Sequence, residues 1–149
     1  MPCANTADHH LGEITEATIA QMIAAFYTRV RRDAVLGPIF EGAIQEDAWP
    51  AHMATMQLFW SSVMLATGRY SGNPVAVHHA VPGIQRPMFA RWLGLFEETA
   101  HDLFQPAPAA RFVEKARRIA GSLEIALFHR LGLPPDGIKL PTESPQPCA

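Results

Sequence analysis

The sequence is short of cysteine, of net charge and of long apolar runs, and each shortage removes a class of function. Its only two cysteines, Cys3 and Cys148, stand at opposite ends of a 149-residue chain. They make no disulfide framework, so a reducing cytoplasm is the expected compartment. Twelve Lys and Arg against fourteen Asp and Glu leave a formal net charge of -2. A chain so balanced offers no electrostatic footprint for a phosphate backbone, and nucleic acid is not expected as a partner. No apolar run approaches the roughly 20 residues that cross a bilayer. Asp8 and Glu13 also interrupt the N-terminal stretch in which a secretory signal would need an apolar core, so no membrane association is expected. Cys-x-x-Cys and glycine-rich phosphate loops are missing as well, and Ser61, Ser62 and Ser71 lack the setting of a nucleophile elbow. Zinc, nucleotide and hydrolase readings fall away with them.

What is present is apolar content of 48%, enough for one hydrophobic core in a chain of this length. Residues 1–12 are small, polar and His-containing, and residues 134–149 hold five of the thirteen prolines. The expected organisation is therefore a single domain over residues 15–132 between disordered tails at 1–14 and 133–149. Within the domain the apolar spacing is helical. Ile19, Met22, Ile23, Phe26, Tyr27 and Val30 form a first stripe, with Thr15 as its cap. Leu36-Gly37-Pro38-Ile39-Phe40 breaks the period and predicts a corner. A second stripe runs from Trp49 through His52, Met56, Phe59 and Trp60, ending near Gly68, with Pro50 tolerable in the first turn. From Gly68 to Pro87 no period is clean, and little beyond one helical turn is expected. Stripes resume at Met88, Phe89, Trp92 and Phe96, and again at Phe112, Val113, Ala116 and Ile119. No segment alternates as a strand does, so the fold class is all-α.

Two histidines stand out. His78 lies in the aperiodic stretch between long helices, and His52 lies on an apolar stripe. A haem would use such a pair, with a neutral imidazole on one side of the iron and polar groups on the other. The alternative is a surface His78 and a partly buried His52 hydrogen-bonded at a helix edge. Tyr27 and Trp92 each carry a donor at the end of a large apolar body and suit either a ligand pocket or simple core. Glu98-x-x-His101 has the spacing of a di-iron carboxylate motif, but such a site needs two copies, and a solvated helix face is the plainer reading.

Phe26-Tyr27, Val30-Arg31, Leu36-Gly37-Pro38-Ile39-Phe40, Trp49-x-x-His52 and Phe59-Trp60 occur in order. They are followed by Gly68-x-Tyr70-x-Gly72-x-Pro74, His78 and Phe89-x-x-Trp92-x-x-Leu95-Phe96-Glu97-Glu98. In this ordered set the chain resembles the group III truncated haemoglobins of bacteria over roughly residues 15–130. The first two groups of truncated globins use paired glycines, and no two glycines here are adjacent. The resemblance implies a two-over-two helical sandwich around one haem b (iron protoporphyrin IX), with the proximal helix reduced to a loop. It makes His78 the iron ligand and His79 a neighbour without that role. Tyr27 and Trp92 become distal hydrogen-bond donors, and His52 a distal histidine that swings as a gate. Phe40 and Met56 match positions packing on haem and ligand, and Phe26 and Phe89 are further candidates for haem contact. The proline-rich tail lies outside the family's common core.

The implied function is binding of O2, together with NO and CO. Donors that hold a ligand slow its release, which favours NO dioxygenation or peroxide turnover over oxygen delivery. No flavin or nicotinamide domain is present, so an external reductase would be needed. Two rivals remain open at this stage: a haem-based gas sensor without turnover, and a helical interaction domain without cofactor.

Overall fold

The computed structural model describes residues 10–128. Both cysteines, residues 1–9 of the expected N-terminal tail and the whole proline-rich tail lie outside the described residues. The elements are α1 (Glu16–Arg32), α2 (Leu36–Ala43), a 3-10 turn (Glu46–Ala48), α3 (Trp49–Leu65), α4 (Pro74–His79), α5 (Pro87–Leu103) and α6 (Pro106–Phe128). Among the described residues there is no strand, only a single parallel bridge between Leu11 and Phe104. No helix there is long and apolar enough to cross a membrane.

The six residues of the first stripe are the six that α1 buries. Its start is fixed by a reciprocal cap in which Thr15 Oγ1 accepts from the Thr18 amide and Thr18 Oγ1 accepts from the Thr15 amide. α1 packs on α2, α3 and α5, while α5 packs most extensively on α6, giving two pairs of helices laid against each other. Phe26, Trp60, Phe96 and Phe112 fill the space between the pairs.

The corner expected over 36–40 falls earlier, at residues 33–35, and those five residues open the eight-residue α2. Pro38 sits in its first turn, where a missing amide proton costs nothing. Gly37 allows the close turn, because a Cβ there would lie 2.8 Å from the Arg31 carbonyl oxygen. Asp33 completes the corner: its Oδ2 accepts from the amides of Leu36 (2.8 Å) and Val35 (3.0 Å) and from Arg91 Nε (2.7 Å).

That carboxylate binds three elements together, since Arg91 belongs to α5. The Arg91 hydrogen bond chiefly holds the Asp33 carboxyl down at about 2. Burial opposes it, and the Leu36 and Val35 amides help. A depressed folded-state value stabilises above the unfolded pKa, and that stabilisation is lost as pH falls from about 4 to about 2. Asp33→Asn is therefore expected to cost about 1–2 kcal/mol at pH 7, a value discounted for the exposure of Arg91. The cost should shrink toward zero in urea denaturation repeated near pH 2; an equal cost at both pH values would contradict the ion pair.

The stretch from Gly68 to Pro87 does contain a helix, the six-residue α4. Asn73 caps it by accepting the Ala76 amide at 3.1 Å, and Pro74 occupies its first position. A helix this short has no room for an amphipathic period, which is why spacing alone does not find it and why the expected loop is instead one and a half turns.

Candidate functional site

α1, α2 and α3 face α4, α5 and α6 across a cavity of about 810 Å³, far larger than the packing voids of a closed core. Seven of the eight candidates line it: Tyr27, Phe40, His52 and Met56 from the first three helices, and His78, Phe89 and Trp92 from the others. Phe26 does not. It is wholly buried behind the wall, with its ring edge-on to Tyr27 (5.0 Å), Trp92 (5.3 Å) and Phe96 (5.0 Å), so it supports the donors and has no cavity surface of its own. His79, adjacent to His78, is exposed and off the lining.

His78 Nδ1 lies 2.7 Å from the carbonyl oxygen of Pro74, one turn back in α4. A carbonyl oxygen only accepts, so Nδ1 carries the proton and Nε2 keeps its lone pair. That is the state a metal-ligating imidazole requires, with its other nitrogen held by an outer partner. Among the described residues no three His, Cys, Asp or Glu side chains gather as a metal cage, so His78 would serve as a single protein ligand.

Across the cavity the polar atoms are enclosed. Tyr27 is buried, and burial alone pushes its hydroxyl above the ordinary tyrosine value, so it stays a protonated donor. Its ring stands edge-on to His52 at 5.3 Å. His52 is held below the ordinary histidine value, first by burial and then by repulsion from His78 that acts only when that second ring is protonated, so it is neutral near pH 7. Its Nε2 is buried without a hydrogen-bond partner among the described residues. Trp92 stacks on Phe96 at 5.3 Å and 16°, and Phe96 stacks in turn on Trp60 at 4.9 Å and 20°.

Sequence reasoning gave Trp49 no part in the site, yet its indole Nε1 is a second buried donor without a partner. It stands 5.3 Å from His52, with the Arg31 guanidinium 4.4 Å over its ring. Only tertiary packing reveals this, since on the stripe Trp49 reads as core. Trp49 is not on the cavity lining itself; Tyr70 is. Its amide donates to Ser62 Oγ at 2.9 Å and its ring rests edge-on against Phe59 at 5.1 Å. The segment carrying it is anchored on Glu16, which accepts from the fully buried Ser61 hydroxyl at 2.6 Å and from Arg69. Gly72 leaves room for it, because a Cβ there would fall 2.4 Å from the Tyr70 oxygen and push that ring aside. Arg118 and Ser122 of α6 complete the lining, and no periodic signal marks them.

Buried polar atoms in native proteins find partners. An orphaned imidazole nitrogen on the wall of a large apolar cavity, which a second imidazole already primed to ligate also lines, is what a bound iron porphyrin and its small ligand would satisfy. The residues present fit that group.

No family model matches this chain. A curated relative, the group 3 truncated haemoglobin of Campylobacter jejuni, is 32% identical over 117 residues, covering 77% of this chain and 92% of the relative. The crystal structure of the group III truncated haemoglobin from Campylobacter jejuni superposes with a TM-score of 0.75 at 31% identity, covering 80% of this chain and 95% of that one.

Proposed function

Because the chain belongs to the group 3 truncated haemoglobins, and is thus a haem-binding globin of a family that takes diatomic gases, we propose that it holds one haem b on His78 and binds O2, NO and CO. When bound, the haem would supply an iron able to take up a diatomic gas, with His78 holding it. The observation that carries this reading is the fixed His78 tautomer, whose Nε2 lone pair is free at the cavity because Nδ1 is committed to Pro74. Phe40, Met56 and Phe89 exclude water from the two faces of the cavity, and Tyr27 and Trp92 are the donors positioned to hold a polar ligand. His52, neutral and unpartnered at Nε2, can turn toward or away from that ligand without breaking a hydrogen bond of its own.

A pocket built to retain its ligand suits redox chemistry, such as NO dioxygenation or peroxide turnover, better than oxygen delivery. Electrons would come from a separate reductase. The protein purified after expression with adequate haem is expected to show a Soret band in one-to-one stoichiometry. A purified protein with no such band would end the haem reading. Consumption of NO or peroxide with a reductase supplied would separate an enzyme from a gas sensor, which binds and does not turn over.

A further inference from the structure

We infer that Arg118, with the Ser122 hydroxyl one turn further along α6, is the seat of a carboxylate of the bound tetrapyrrole. The inference rests on the haem reading and adds to it a subsite for the acidic edge of the cofactor. Charge singles out this position. Among the described residues lining the cavity, Arg118 is the single one that carries full charge; the rest are apolar, neutral polar or histidine. Protoporphyrin is likewise an apolar disc except for two carboxylates at one edge. A carboxylate laid against an apolar wall loses its hydration without return, whereas against a guanidinium it gains a charge-assisted hydrogen bond.

The position suits the task. Arg118 and Ser122 are four residues apart on one helix, which places both on the same face, and both border the cavity. The Arg118 side chain is 71% exposed, so the seat lies at the mouth, where the acidic edge of the disc belongs and the apolar edge does not. Its present partner is Glu114, reached by a single contact at 3.3 Å on the same exposed helix face. That contact is weak enough to share, and the fork of the guanidinium has further donors. Arg111 makes a natural comparison, because it lies on the same helix but borders a separate cleft with Ile14, Met64 and Lys115 and takes no part in the main cavity.

The test crosses a protein variant with a ligand variant. Apoprotein is titrated with ferric protoporphyrin IX and with its dimethyl ester, in which both carboxylates are masked, and affinity is read from the Soret change. Arg118→Gln is expected to weaken binding of the diacid about tenfold and to leave the ester within about twofold; Ser122→Ala should act in the same direction to a smaller extent. Arg111→Gln should leave both ligands unchanged, which excludes general attraction of an anion to the helix. Equal losses for diacid and ester would make Arg118 a packing residue and overturn the inference, as would an unchanged diacid affinity. If unmodified protein takes up neither porphyrin, the haem reading itself fails, and this inference with it.

Discussion

His78→Gly is expected to yield a protein that folds but does not retain haem, regaining a Soret band only when free imidazole is added. The coordinating nitrogen belongs to a ring locked by its own helix: Nδ1 is tied to the Pro74 carbonyl, so the ring enters the cavity with one tautomer and one orientation. Removing an outer partner of a metal-bound imidazole typically costs about 10- to 100-fold in affinity. Removing the ligand should exceed that, because nothing else of the kind stands on that side of the cavity. His52 faces it from the other wall, and His79 lies off the lining. α4 keeps its Asn73 cap and its Pro74 start in the variant but loses the bond to the Pro74 carbonyl and gains a glycine, so rescue of the Soret band by imidazole is what separates loss of the ligand from loss of the fold. His79→Gly is the control. If it strips the haem while His78→Gly does not, the ligand has been assigned one residue too early.

The second large effect is on how long O2 stays bound. Tyr27 and Trp92 reach the cavity from α1 and α5, and both rest on the same buried ring, Phe26, at 5.0 and 5.3 Å. Tyr27 cannot ionise near neutrality because burial raises its pKa, so its proton is always available to donate. A hydrogen bond worth roughly 1 to 3 kcal/mol, at 1.4 kcal/mol per tenfold, sets the expected acceleration of O2 release in Tyr27→Phe or Trp92→Phe at about 5- to 150-fold. The double variant should fall short of the product of the two, since both donors polarise one ligand. CO, which carries less negative charge, should change little. The alternative is that Trp92 serves only its stack on Phe96. In that case the variant lowers thermal stability and leaves release alone. Stopped-flow dissociation rates within twofold of the unmodified protein would sink the polar-pocket mechanism.

Much of this was legible before any coordinates. The α1 stripe announces all six of its buried residues, because one long helix on one core repeats a single signal often enough to be read. Tyr27, His52 and Trp92 stand on such stripes. α2 and α4 were missed for a common reason: eight and six residues are too short for periodicity, and their starts depend on Asp33 and Asn73, whose capping is a matter of local geometry. The partnerless nitrogens of Trp49 and His52 were illegible for another. An unmet hydrogen bond is a property of the assembled interior, and sequence shows only that an aromatic residue lies on an apolar face. Phe26, a candidate for haem contact by its place on the stripe, is off the cavity lining and stands edge-on behind Tyr27; a stripe marks which residues are buried and not which of them border a cavity.

Leu11 stands inside the segment expected to be a free tail, yet its amide donates to the Leu103 carbonyl and its own carbonyl accepts from the Gln105 amide, both at 2.8 Å. The two segments of this bridge are separated by roughly ninety residues of chain, so forming it closes a loop that holds the first five helices. Closure over that distance is a slow event in a conformational search and yields little until the helices between are in place. The bridge is therefore expected to form late, so that weakening it would speed unfolding more than it slows folding.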